Sequence, residues 1–175
     1  MGETDAWDGL SLEALRAELG ARLERARRRT LALADCDDAE LTRQHSPLMS
    51  PLVWDLAHVG NQEELWLVRD VAGMAPLRCG IDEMYNAFQY PRRVRSSLPL
   101  LPPAEARRYI GEVRAKALDI LDRIPLEGRA LTERGFVFGM VIQHEQQHDE
   151  TMLATHQLRA GEPVLAAAPL PAAVL

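Results

Sequence analysis

Four stretches of roughly 20 residues, in which apolar side chains return every three to four positions, push this chain toward a bundle of helices. Residues 10–34 carry Leu12, Leu15, Leu19, Leu23, Ala26 and Leu33 along one face, with Ser11 or Asp8 placed to cap the start. Ser50 followed by Pro51 reads as an N-cap and first-turn pair, because proline lacks the N–H that a first turn leaves unbonded. That second helix continues through Trp54, His58 and Leu65 to Val71 and stops before Gly73. A third helix is expected over 103–124. A fourth starts no earlier than Thr132, no later than just after Gly135, and runs to Leu158. No stretch alternates in the manner of a strand and there is no internal repeat, so the expected fold is all-α, a four-helix bundle.

Residues 1–164 are expected to form one domain. The uncharged run 165–175, Leu-Ala-Ala-Ala-Pro-Leu-Pro-Ala-Ala-Val-Leu, reads as the start of a linker. Between helices two and three lies a connection over 72–102, rich in proline, arginine and aromatic residues; one this long in a compact domain is usually functional. With 20 basic and 26 acidic residues the net charge is −6, and no basic face argues for nucleic acid or an anionic membrane. Arg25, Arg27, Arg28 and Arg29 share a helix with Glu18 and Glu24 and read as a solvated face. Cys36 and Cys79 form no CxxC pair, the acidic start 1–8 is unlike a signal peptide, and no apolar run reaches membrane-span length. A cytoplasmic protein is the expectation.

The chemistry concentrates in three histidines. His144 and His148 are four apart, so both rings leave the fourth helix on one side, about one turn from each other. They interrupt a stripe that includes Met140 and Met152 and that should face the core. His58 lies on the second helix among Trp54, Asn61 and Leu65. A single core histidine is commonly satisfied by a carbonyl, but three on two inward faces make a metal site between facing helices. Such ligands usually donate their second N–H to an oxygen, and Glu63, Glu64, Glu145, Asp149 and Glu150 are the nearby carboxylates. His45 and His156 fall outside the stripe and read as surface or supporting residues.

His144-Glu145-Gln146-Gln147-His148 also matches HExxH, the zinc-protease signature in which the glutamate is the general base. The extended form needs a glycine and a third histidine, where this sequence has Thr151 and Ala154. Glu162, a possible downstream ligand, follows the helix end, so the protease reading is poor. Three neutral imidazoles leave a divalent ion its full charge and open positions. With Zn²⁺ that favours an activated hydroxide; with Fe²⁺ it suits O2 plus a thiolate, and ligand type alone does not choose.

Three blocks then carry a resemblance: Ser46-Pro-Leu-Met-Ser-Pro-Leu-Val-Trp-Asp-Leu-Ala-His58, Gln62-Glu-Glu-Leu-Trp-Leu, and Gln143-His-Glu-Gln-Gln-His-Asp-Glu-Thr-Met152. Together they resemble the N-terminal DinB-like domain of the hercynine oxygenases, the iron-dependent sulfoxide synthases of ergothioneine biosynthesis. The resemblance implies Fe(II) held by His58, His144 and His148. It further implies O2-dependent joining of the γ-glutamylcysteine (or cysteine) sulfur to C2 of Nα-trimethylhistidine. Arg92 and Arg95 match two arginines, three apart, that grip the carboxylates of the thiol, and Gln147 matches a contact to the trimethylhistidine. Family members continue into a C-type-lectin-like domain that supplies much of the pocket and a tyrosine. The expectation is therefore that these residues hold the iron half of an active site and need that domain, in cis or in trans, to turn over.

Two other classes stay open. A DinB-like thiol transferase would use the same three histidines with Zn²⁺ or another divalent ion to lower a thiol pKa, without O2. A bundle whose metal only stabilises the fold would need no substrate at all.

Overall fold

In the computed structural model, residues 9–165 are described; Asp8 and all of the expected linker beyond Leu165 lie outside the described residues. The helices are α1 (Leu12–Leu33), a short α2 (Asp38–Thr42), α3 (Leu52–Glu63), α4 (Pro103–Arg123) and α5 (Phe136–Leu158). Among the described residues there is no strand. The four long segments are thus the four expected from periodicity. α1 packs mainly on α5, α3 on α4, and α3 also meets α5.

Ser11 caps α1, its hydroxyl accepting the Ala14 N–H at 3.2 Å. Ser50 does not cap α3. The cap position is Pro51, and the buried Ser50 hydroxyl instead accepts from Arg95 Nη1 at 2.9 Å. A tertiary partner has taken the oxygen that a local cap would have used. The second helix also does not run as one α-helix to Val71: from Glu64 to Val71 it winds as a π-helix, ending at Gly73 with φ +65°. π-turns often mark functional stretches, and this one begins where two adjacent glutamates, Glu63 and Glu64, are both fully buried in different polar clusters.

Apolar packing divides into two halves. One gathers Leu15, Leu19 and Leu23 of α1 with Leu67, Ala117, Leu121, Phe138 and Val141. The other gathers Leu52, Trp54 and Leu56 with Tyr85, Tyr109, Val113 and Met152. On every long helix the switch between halves falls at a charged residue: Arg27, Glu63, Arg114 and Glu145. These four form a closed ring of ion pairs. Arg27 reaches Glu63 at 2.6 Å and Glu145 at 2.7 Å, and Arg114 reaches the same two carboxylates at 2.6 Å each. Arg27 therefore leaves the solvated face on which it was expected; it is 5 % exposed. Buried ion pairs add little net stability over apolar packing, and their best-attested use is fixing register. Here the ring sets all four helices at one level.

Close approach of α3 to α4 depends on Gly60, whose added Cβ would stand 2.7 Å from Ile110 Cγ2 and 3.3 Å from Tyr109 Cε1. Gly60→Ala is expected to lower the urea midpoint, because overpacking costs about 1–3 kcal/mol, only partly offset by the roughly 1 kcal/mol alanine gains as a helix former.

Candidate metal centre

The level set by the ring decides where the histidines lie. Residue 144 precedes Glu145, so when Glu145 points to the arginines, His144 and His148 turn toward α3. His58 meets them there. Ring centroids are 5.1 Å apart for His58–His144, 4.5 Å for His58–His148 and 4.7 Å for His144–His148. One nitrogen from each ring lies within 4.8 Å of the other two. Ligands bonded to one tetrahedral ion at about 2.0–2.2 Å stand about 3.3–3.6 Å apart, so closing a separation of up to 4.8 Å takes roughly an ångström of side-chain movement. The donor set fits a divalent ion.

Two rings are held in the orientation a ligand needs. His58 Nδ1 donates to the Tyr85 carbonyl oxygen at 2.7 Å. A carbonyl only accepts, so the proton is on Nδ1 and Nε2 keeps its lone pair. Trp54, one turn earlier on α3, stacks on the same ring at 4.6 Å and 14°. His148 Nδ1 lies 2.9 Å from Asp55 Oδ1, which likewise leaves Nε2 free to ligate. Burial, with help from the neighbouring His148, pushes His58 down to about 2; burial and His148 push His144 down to about 4. Both rings are therefore neutral at physiological pH, the form that binds metal.

The carboxylate at His148 was not among the five expected. Glu63 and Glu145 belong to the ion-pair ring. Glu64 accepts from the Tyr109 hydroxyl and from the Leu77 N–H, Asp149 accepts from the Thr30 hydroxyl at 2.8 Å, and Glu150 is exposed. The signal that would have found Asp55 is its place three residues before His58, on the same side of α3.

Glu145 also removes the zincin reading. A general base must point at the metal-bound water. Here both carboxylate oxygens are committed to Arg27 and Arg114, and the side chain has no exposed surface. The match to HExxH is one of spacing only.

The long connection is seated rather than loose. Tyr85 is fully buried, its hydroxyl accepts the Leu101 N–H at 2.9 Å, and Trp54 Nε1 donates to the Met84 carbonyl at 3.1 Å. Arg92 and Arg95 lie on a 3₁₀ turn, Arg92–Ser97. Arg92 is exposed and donates to the Leu48 carbonyl at 3.2 Å. Arg95 is 5 % exposed; it packs 3.6 Å from the Trp54 ring centroid and donates to Tyr90 O, Ser50 Oγ and Ala87 O. Gln147 is exposed on α5 beside His148. His45 is not a surface residue: its side chain is 7 % exposed, with Nε2 2.6 Å from Glu40 Oε1. His156 meets the Leu33 carbonyl at 2.8 Å, away from the trio.

Residues 22–152 match the family model of the DinB superfamily. The hercynine oxygenase of Mycolicibacterium thermoresistibile is 55% identical over 152 residues, 86% of this chain and 33% of that protein. Those of Mycolicibacterium smegmatis and Mycobacterium tuberculosis are each 54% identical, over 90% and 86% of this chain and over 36% and 35% of their own lengths. The chain thus spans about a third of the length of the curated relatives it matches. No helix among the described residues is long and apolar enough to cross a membrane.

Proposed function

Because this chain belongs to the DinB superfamily, we propose that it is the iron-holding domain of a non-haem Fe(II), O2-dependent sulfoxide synthase of ergothioneine biosynthesis. Its substrates would be γ-glutamylcysteine or cysteine and Nα-trimethylhistidine, the compound also called hercynine. The observation that carries the reading is the convergence of His58, His144 and His148, two of them with Nδ1 already engaged. Identity to proteins named hercynine oxygenase supports the substrate choice.

The reaction balances as R–SH plus imidazole C–H plus O2 giving the R–S(O)–imidazole sulfoxide and water. Two electrons come from joining S–H and C–H into C–S and two from oxidising sulfur. When bound, ferrous iron supplies the redox chemistry with O2 that no side chain here possesses. The protein's own residues bind and orient. Arg92, exposed and with donors to spare, is assigned to a substrate carboxylate, for which its planar fork is suited. Arg95 supplies a second positive charge on the same turn while bracing the connection. Gln147 is assigned to the trimethylhistidine. We assign the remaining wall of the pocket to a second domain, of C-type-lectin-like kind, acting in cis or in trans, and place the enzyme in the cytoplasm.

The test is anaerobic loading with Fe(II), followed by titration with γ-glutamylcysteine and then O2 uptake with both substrates, with and without the second domain. The expected result is iron bound, thiol bound, and O2 consumed at speed only when both domains are present. Arg92→Ala should weaken thiol binding by about tenfold or more, the size of one lost charge-assisted hydrogen bond, while leaving the melting temperature unchanged. Thiol activation with Zn²⁺ and no O2 uptake would establish the transferase instead. Thiol affinity indifferent to His58→Ala would reduce the metal to a structural role.

A further inference from the structure

Among the described residues, Asp55 is the buried carboxylate that meets a ring of the histidine trio, and it belongs neither to the ligand set nor to the ion-pair ring. It is 1 % exposed. Its Oδ1 takes His148 Nδ1 at 2.9 Å, across from α3 to α5, and its Oδ2 is buried without a hydrogen-bond partner. A buried carboxylate with an oxygen left over is costly, and packing alone would favour an apolar or amide side chain there. Two positive charges account for it. One is the positive Arg95 guanidinium, whose hydrogen-bond partners are all neutral oxygens and which the Asp55 charge stabilises. The other is the ion the trio would hold.

We propose that Asp55 is a positioning residue for that ion. Its charge holds the His148 proton on Nδ1, aims Nε2 into the site and makes the ring a stronger donor to a metal. This inference rests on the metal-binding reading of the trio. Because the Asp55 charge also stabilises the Arg95 guanidinium, one carboxylate acts electrostatically on both the metal side of the site and the arginine turn. Asp55 and His58, three apart on α3, let that single helix contribute both a ligand and the anchor of a ligand on α5.

The experiment measures Co(II) affinity of the 175-residue chain by chelator competition, together with the Co(II) ligand-field spectrum and the melting temperature of the metal-free protein. Asp55→Asn keeps shape and an acceptor oxygen but removes the charge, and its amide N–H2 can stabilise the wrong tautomer of His148. Asp55→Ala removes the anchor altogether. Affinity is expected to fall about 10–100-fold in both, in the range found for lost partners of ligating histidines, with an altered spectrum and with Asp55→Asn still fully folded at the assay temperature. Wild-type affinity and spectrum in Asp55→Asn would overturn the proposal while leaving the metal site standing. Absence of Co(II) binding by the wild type would overturn the metal reading itself, and this proposal with it.

Discussion

Replacing Glu145 by alanine is expected to destabilise the chain by about 3–5 kcal/mol, the usual cost of breaking a buried ion pair by removing one partner. That is a large share of the roughly 5–15 kcal/mol available to a domain. The side chain is wholly buried and accepts from Arg27 Nε at 2.7 Å and Arg114 Nη2 at 2.6 Å, with the Thr30 hydroxyl, shared with Asp149, 2.9 Å away. Without it, two guanidiniums exposed by only 6 % and 5 % share Glu63 alone. Urea unfolding gives the measurement, with Glu150→Ala, exposed on the same helix, as a control expected within about 0.5 kcal/mol of the wild type. The result also bears on chemistry. A zincin-type base at this position would be dispensable for folding, so a Glu145→Ala protein of unchanged stability would reopen the protease reading.

The same residue shows where sequence reading reaches and where it stops. The four helices were legible because their apolar period is local information, and the trio was legible because four-residue spacing fixes a shared side. Arg27 was not. In the run Arg25, Arg27, Arg28, Arg29 nothing in composition separates the buried member from the solvated ones. The distinguishing fact is positional: Arg27 follows Leu15, Leu19 and Leu23 at four-residue steps, which carries it along the apolar stripe. Its partners lie 36 and 118 positions away, on helices whose level no local pattern reveals. Ser50 and the π-turn failed for the same reason. The hydroxyl that would cap α3 is taken by Arg95 from across 45 residues, and the change of winding at Glu64 comes with two glutamates drawn to different clusters. Asp55 is the intermediate case, readable from its step to His58 once the site is suspected.

Metal binding gives the second large effect. His148→Ala is expected to lower divalent-metal affinity by more than about 100-fold. Four-ligand sites bind with apparent free energies of about 10–16 kcal/mol, on the order of 3 kcal/mol per ligand, and 1.4 kcal/mol is tenfold. His144→Ala should lose a similar amount, because each leaves only two of the three nitrogens now grouped within 4.8 Å. His45→Ala and His156→Ala test whether the effect belongs to the trio or to imidazole in general. Their rings are committed to Glu40 and to the Leu33 carbonyl, and their metal affinity should stay within about twofold of the wild type. Thermal melts give an independent readout. A ligand that binds only the native state raises stability by RT ln(1 + [L]/Kd), about 2.7 kcal/mol at a hundredfold excess over Kd. Saturating metal should therefore raise the melting temperature of the wild type and of the His45 and His156 variants, and leave His144→Ala and His148→Ala nearly unmoved. An equal upward shift in all five proteins would place the ion somewhere other than between α3 and α5.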